Sequence, residues 1–172
     1  MKTFGKSFLL FAVCSLLIGS ASLMHPNVSA SARGTKDLPE ATQEELARAR
    51  SATAKYHDIE QAMADDYVNF ELYESGEGHH YIKWSLLDGT FDPEQPEMLL
   101  YSPVPGENRL ELAGVEYLIP IAFSPDHPPA GFSGDADMWR NNMEGFGLWE
   151  LNTWIWLHNP NGIFADRNPR VP

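Results

Sequence analysis

The feature that most limits the possible folds is a change in composition near Gly76. No glycine or proline occurs from Ala41 to Leu72, whereas both recur throughout the following segments. Because glycine and proline interrupt helices and mark turns, the first stretch suits a helix and the second suits short strands. The sequence therefore predicts an α+β domain.

The helical stretch has its own start signal. Thr42 and Glu45 have the spacing of a capping box, in which each side chain accepts a hydrogen bond from a backbone N–H at the helix start. Apolar and small residues then recur at steps of three or four, which is typical of an amphipathic helix. We predict one N-terminal helix from about Thr42 to Asp66, preceded by a flexible lead-in at residues 33–41.

Five later segments have the shorter period that is typical of strands. They are Val68–Tyr73, His79–Trp84, Met98–Tyr101, Arg109–Ile121 and Leu148–His158. The helix is expected to pack on a curved, mainly antiparallel sheet, either cone-like or an open barrel. Residues 124–147 are predicted to be irregular. Residues 42–172 are thus expected to form a single domain that ends in an extended C-terminal tail, residues 159–172.

The first 32 residues have the features of a secretory signal peptide. Lys2 and Lys6 precede an apolar run from Phe8 to Ile18, and Ala30-Ser31-Ala32 supplies a small-residue cleavage site. The run is shorter than the ~20 apolar residues that span a bilayer, although an uncleaved N-terminal anchor is the alternative. We expect a secreted or periplasmic protein, cleaved near Ala32 and not held in a membrane afterwards.

Charge and cysteine content exclude several partners and sites. The 172-residue chain has 12 Lys+Arg against 24 Asp+Glu, a formal charge of −12, so nucleic acid and anionic membranes are poor partners. The only cysteine, Cys14, lies in the predicted signal peptide, which excludes disulfides and thiolate metal sites from the mature chain. No G-x-G-x-x-G or P-loop motif occurs, so no nucleotide cofactor is expected. No pattern selects an oligomeric state.

Alternation along the predicted strands places His80 and Glu116 on buried faces. Glu116 shares its face with Leu112 and Leu118, where an unpaired carboxylate is costly, so it requires a hydrogen-bond donor, a cation or a metal. Neutral imidazoles with a carboxylate suit a divalent metal ion. We predict that such an ion is bound by four residues, namely His80, Glu116, His158 and His127. The alternative is that each histidine is an ordinary core or surface residue.

A second candidate site is a ligand pocket with aromatic walls. Alternation places Trp84, Trp154 and Trp156 on inward or pocket-facing positions, and Asn152 shares the pocket-facing side of the last strand with Glu150. Aromatic side chains beside polar groups are typical of small-ligand pockets. Aromatic residues also fill ordinary cores, which is the alternative for each tryptophan.

Several short segments follow one another in a distinctive order. They are Gly78-His79-His80-Tyr81, Pro96-Glu97-Met98-Leu99-Leu100-Tyr101, Val115-Glu116-Tyr117 and Trp154-Ile155-Trp156-Leu157-His158-Asn159-Pro160. Together with the predicted helix, this series resembles a group of uncharacterised secreted bacterial proteins over most of the predicted mature chain. The resemblance implies export and one compact domain, and it brings no activity with it.

These observations predict an exported bacterial domain that binds a metal ion or a small ligand on its sheet. One alternative is a small metal-dependent enzyme that uses the same residues, with Glu116 as ligand or base. The other is a structural or assembly protein without a site, in which the aromatic residues form core and interface.

Overall fold

The computed structural model describes residues 35–142 and 144–172. Within these ranges, helices pack on one face of a six-stranded antiparallel sheet, which confirms the predicted α+β class. No helix in this part of the chain is long and apolar enough to cross a membrane. The predicted signal peptide, residues 1–32, and the first two residues of the predicted lead-in lie outside the described residues.

The stretch predicted as a single helix contains two α-helices. A short 3-10 turn at Thr35–Asp37 is followed by α1 (Glu40–Thr53), a second 3-10 turn (Ala54–His57) and α2 (Ile59–Ala64). The break is at Asp58, whose backbone is extended and whose side chain accepts a hydrogen bond from the Glu60 N–H. Asp58 is therefore an N-cap that starts a new helix within the predicted one.

The predicted capping box of Thr42 and Glu45 is wrong, although the helix starts within two residues of the predicted position. α1 begins at Glu40, after Pro39, and has no side-chain cap. The Thr42 hydroxyl instead donates to the Ser133 carbonyl, and the Glu45 carboxylate accepts from the N–H and the hydroxyl of Ser133. The spacing that resembles a capping box therefore anchors a distant loop to the helix.

We expect Thr42→Ala to lower the free energy of unfolding by about 1–2 kcal/mol, because it leaves the Ser133 carbonyl without its donor. Thr42→Ser keeps the hydroxyl and should retain most of that stability. Urea denaturation of both variants and the parent measures the difference. Equal losses in the two variants would assign the effect to the threonine methyl group and contradict the anchoring role.

The sheet contains one strand more than the sequence predicts. Its strands are β1 (Val68–Glu74), β2 (Gly78–Ile82), β3 (Met98–Pro103), β4 (Leu110–Pro120), β5 (Arg140–Asn142) and β6 (Leu148–Thr153). Their order is β1-β2-β3-β4-β6-β5, with β1 and β5 at the edges, so the sheet is not closed. β5 lies within residues 124–147, which the sequence predicts to be irregular. Its three polar residues lack the hydrophobic alternation from which a strand is predicted.

The last strand ends at Thr153, not at His158 as predicted. The Trp154 N–H donates to the carbonyl of Ile163, in the segment that follows, and the N–H groups of Trp156 and Leu157 both donate to one β4 carbonyl, that of Ala113. Because the regular ladder ends here, strand alternation does not apply to the residues after Thr153.

The sheet face that the helices cover, here called the helix face, holds the main core. Leu46 of α1 packs in one cluster with Tyr101, Tyr117 and Leu151 of the sheet. Both tyrosines are fully buried, and their hydroxyls donate to backbone carbonyls. Satisfied hydroxyls make these large side chains stable components of a core.

A β-bulge changes the side-chain alternation of β4. Leu100 of β3 pairs with Gly114 and Tyr101 pairs with Leu112. Ala113, which lies between these two, has no partner residue on β3. Leu112 therefore joins the core of the helix face, whereas Glu116 lies on the opposite face. Strict alternation predicted that these two side chains share a face, and the extra residue makes that prediction wrong.

Residues 159–172 contain no helix or strand, yet they pack against the sheet. Phe164 joins the core of the helix face, and Val171 joins a smaller cluster on the other face. Asn168 is fully buried, and its N–H donates to the Gly76 carbonyl in the turn before β2. The tail is therefore part of the packed domain.

Candidate functional site

A cavity of about 170 Å³ lies on the sheet face opposite the helices, here called the cavity face. All six strands contribute to its lining. Most of its wall is apolar and is formed by Phe70, Leu72, Ile82, Met98, Leu118 and Leu148. A concave apolar space of this kind is the usual setting for a small-molecule site.

The cavity has an aromatic mouth and a polar inner end. Trp84 and Phe146 line it and are 56% and 55% exposed, so the opening lies beside them. Glu77, His80 and Glu116 also line it and are at most 2% exposed. His80 lies within 4 Å of both carboxylates, so these three side chains form one buried polar end, here called the inner end.

The turn between β1 and β2 brings Glu77 and His80 to the same space. The Glu77 N–H donates to the Glu74 carbonyl and closes the turn. Gly78 follows with a φ of 92°, a conformation that favours glycine. A Cβ on Gly78 would overlap the Tyr101 carbonyl oxygen, so only glycine lets β2 start directly after Glu77.

A chain of ion pairs crosses the inner end. Arg140 of β5 places its Nη2 2.6 Å from Glu150 Oε2 and its Nη1 3.5 Å from Glu77 Oε1. His80 Nε2 lies 3.5 Å from Glu77 Oε2 and 3.9 Å from Glu116 Oε2. The edge strand β5 and the turn before β2 therefore meet across the cavity.

Burial and these charges set the protonation states. Burial raises the pKa of Glu116 to about 8, although the charge of His80 opposes the rise. Burial alone would lower the pKa of His80, but its hydrogen bond with Glu77 and the charge of Glu116 raise it overall. Burial alone would raise the pKa of Glu77, but His80, Arg140 and Arg167 lower it overall. Neutral pH thus favours a protonated Glu116, and the Glu77 carboxylate favours the charged form of His80.

Glu116 differs from the other buried acids because no described residue forms a hydrogen bond with it. Its nearest basic atom is His80 Nε2, at 3.9 Å. By contrast, the two carboxylate oxygens of Glu150 each accept a hydrogen bond at 2.6 Å, from Arg140 and Asn142. A buried carboxyl without a partner is costly. A bound molecule would therefore gain most by contacting Glu116.

Two of the four predicted metal ligands come together at this site. His80 and Glu116 meet at the inner end of the cavity, as strand alternation predicts. His158 is exposed beyond the end of β6, and His127 is exposed in the loop after β4, so neither lines the cavity. Within residues 35–142 and 144–172, no group of three or more His, Cys, Asp or Glu side chains is arranged to hold a metal ion.

Of the four predicted pocket residues, only Trp84 lines the cavity. Trp154 and Trp156 follow the end of β6, and their ring N–H groups donate to the tail and to α1 respectively. Asn152 is buried on β6, and its side-chain amide donates to a carbonyl of the tail. These three side chains hold the tail and the helix to the sheet.

Sequence reasoning missed Glu77 and Arg140. Glu77 lies in a turn, and Arg140 lies in a three-residue strand, so neither has an alternation signal. Glu150 does have the pocket-facing position that alternation predicts, but nothing in the sequence separates it from the many other acidic residues. Glu77, Arg140 and Glu150 are joined by ion pairs, which depend on contacts between segments distant in sequence.

Comparisons of the chain with protein-family models, with curated proteins and with solved structures found no match. The resemblance to secreted bacterial proteins therefore stays a prediction. Function has to be inferred from the cavity itself.

Proposed function

We propose that this is an exported protein that binds a small organic molecule in the cavity of its sheet. The observation that carries the proposal is the Glu116 carboxyl, which is 2% exposed, faces an apolar cavity and has no hydrogen-bond partner among the described residues. Ligand sites typically combine apolar walls with a few polar groups that fix orientation. Export is proposed from the signal-peptide pattern of residues 1–32.

The size of the cavity limits the ligand. Its volume of about 170 Å³ is close to that of an engineered apolar cavity of about 150 Å³ that binds benzene. A molecule with one six-membered ring or a short aliphatic chain therefore fits. A larger molecule would have to extend past Trp84 and Phe146 into solvent.

The curvature of the sheet belongs to the same proposal. Neighbouring strands lie about 4.8 Å apart, so the edges of a flat six-stranded sheet are far from each other. Leu72 of β1 and Arg140 of β5 nevertheless line one cavity. We propose that the sheet curves around the ligand as an open barrel, with the predicted N-terminal helical segment on its outer side.

Binding of one divalent metal ion is the competing proposal. It is supported by the 3.9 Å between His80 Nε2 and Glu116 Oε2, a gap that an ion about 2 Å from each can bridge. A metal-dependent enzyme would need this same pair. The apolar walls favour the organic ligand, because they can bury apolar ligand surface, which a single ion does not have. A structural protein without a site is the remaining alternative.

Calorimetric titration with benzyl alcohol, a neutral probe of suitable size, tests the proposal. We expect a dissociation constant of about 0.1–1 mM, because the binding free energy of a ligand is limited by its small number of atoms. Leu148→Trp puts a bulky ring into the cavity and should abolish binding. Leu110→Trp changes another half-buried leucine of the sheet, outside the cavity, and should leave binding intact.

The same protein, freed of metal by a chelator, is also titrated with Zn²⁺. Absence of benzyl alcohol binding, together with Zn²⁺ binding that Glu116→Gln removes, would replace the proposal with the metal site. If neither benzyl alcohol nor Zn²⁺ binds, the result favours a structural protein without a site. Circular dichroism of Leu148→Trp and Leu110→Trp checks that both variants are folded.

A further inference from the structure

The inner end of the cavity has more capacity to accept hydrogen bonds than to donate them. Three carboxyl groups, those of Glu77, Glu116 and Glu150, line it and are each at most 5% exposed. The side chains that can donate into the same space are those of His80, Arg140 and Asn142. What a ligand can gain here depends on which of these groups are already paired.

Glu150 engages one terminal donor of each of two β5 side chains, Arg140 and Asn142. Arg140 Nη2 and Asn142 Nδ2 each lie 2.6 Å from one of its two oxygens. The remaining terminal nitrogen of Arg140, Nη1, lies 2.9 Å from Asp166 Oδ1 and 3.5 Å from Glu77 Oε1. Both terminal nitrogens of Arg140 are therefore engaged, whereas its Nε is buried and has no hydrogen-bond partner among the described residues.

The donors of His80 are engaged in the same way. Its Nε2 lies 3.5 Å from Glu77 Oε2, and its Nδ1 lies 3.3 Å from the Leu72 carbonyl oxygen. Glu77 also lies 3.3 Å from Arg167 Nη2, so it has partners on several sides. Among the described residues, Glu116 is thus the acid at this end whose acceptor capacity is unused.

A ligand gains most if it supplies what Glu116 lacks, which is a hydrogen-bond donor within reach. An anionic ligand would meet three acids, and the one unpaired donor that the described cavity side chains leave beside them is Arg140 Nε. A neutral alcohol would bring a weaker hydrogen bond, whereas an ammonium group forms a charge-assisted one. The formal charge of −12 also attracts cations toward the protein.

Resting on the proposed function, we infer that the ligand is a small organic cation, a primary amine on one ring or a short aliphatic body. Its ammonium group donates to the Glu116 carboxylate, and its apolar body contacts Ile82 and Leu118, which pack with Phe70 beside the Trp84 ring at the mouth. This inference specifies the chemical class of the ligand, which the cavity volume alone does not.

Binding of the ammonium group displaces a proton. Burial raises the pKa of Glu116 to about 8, so at pH 7 the empty site holds mostly the neutral acid. The ammonium ion keeps all its protons and pairs with the carboxylate, and the Glu116 proton passes to the buffer. The charged groups facing Glu116 are Glu77, His80, Arg140 and Glu150. In the empty site Glu77 is paired with His80 and Arg140, and Arg140 is also paired with Glu150. We therefore expect release of nearly one proton per amine bound and none per alcohol bound.

Calorimetric titration of the parent protein with benzylamine, benzyl alcohol and benzoate at pH 7 tests the inference. The three probes have the same ring and differ in the charge of the head group. We expect benzylamine to bind at least about tenfold more tightly than benzyl alcohol, and benzoate to show no binding. Repeating the benzylamine titration in buffers of different ionisation enthalpy measures the released proton.

Two variants link the preference to one carboxyl group. Glu116→Gln should weaken benzylamine binding about tenfold or more, abolish proton release and leave benzyl alcohol binding within a factor of about three. Glu97→Gln is the matched control, because Glu97 is equally buried and burial also raises its pKa to about 8, but it does not line the cavity. It should bind both probes as the parent does.

The outcomes separate the inference from the proposed function. Benzyl alcohol or benzoate binding as tightly as benzylamine would overturn the inference and leave the cavity as a ligand site. Unchanged benzylamine binding by Glu116→Gln would also overturn it. Absence of binding by all three probes would overturn the proposed function, and the inference with it.

Discussion

Glu116→Gln should raise the free energy of unfolding by about 3–5 kcal/mol at pH 9 and leave it nearly unchanged at pH 4. The reason is that burial raises the pKa of this carboxyl from 4.5 to about 8 in the folded protein. A group with a raised pKa stabilises the fold fully below its unfolded pKa, and that contribution is lost as the pH rises through the folded pKa. The loss therefore falls between about pH 4.5 and 8. Glutamine does not ionise, so the variant does not lose this stability as the pH rises.

Urea denaturation of parent and variant across this pH range measures the effect. Glu97→Gln should show the same pH dependence, since burial raises the pKa of Glu97 to about 8 as well. Glu44→Gln, on the exposed surface of α1, should change stability little at either pH. A gain for Glu116→Gln that is equal at pH 4 and pH 9 would contradict the role of ionisation.

Gly78→Ala should lower the free energy of unfolding by about 3–5 kcal/mol. Two penalties combine, because Gly78 has a φ of 92° and a Cβ there would overlap the Tyr101 carbonyl oxygen. Relief of that overlap requires β2 and β3 to separate where they are paired. The same substitution should weaken benzyl alcohol binding, since Gly78 positions Glu77 and His80.

Gly106→Ala is the matched control. Gly106 also has a positive φ, 78°, but no atom lies within 4 Å of the position its Cβ would take. It should lose only about 1 kcal/mol, the cost of the backbone conformation. Urea denaturation compares the two variants, and equal losses would mean that the Tyr101 carbonyl imposes no constraint on Gly78.

The sequence predicts those parts of the fold that depend on local patterns. Five strand positions and the presence of helix before Gly76 follow from periodicity and from the placement of glycine and proline, although the last strand ends earlier than predicted. The bulge at Ala113 has no such signal, because it depends on how β3 and β4 are paired. β5 has none either, since three polar residues become a strand only by pairing with β6. These features come from tertiary contacts.

The candidate site likewise contains some residues that local patterns predict and others that only tertiary contacts bring together. Alternation and the cost of burying a carboxylate identify His80 and Glu116, and both lie at the inner end of the cavity. The predictions that place His158 at a metal site and Trp156 in a pocket extend alternation past Thr153, where the strand ends. Glu77 and Arg140 meet only because a turn and an edge strand, far apart in sequence, approach each other.

The separation of the two sheet faces has a consequence for how such a protein can evolve. Tyr117 packs into the core of the helix face, whereas its neighbours Glu116 and Leu118 line the cavity. Substitutions on opposite faces share few contacts, and effects of sites without shared partners are close to additive. The lining of the cavity can therefore diverge toward new ligands while the residues that specify the fold stay the same.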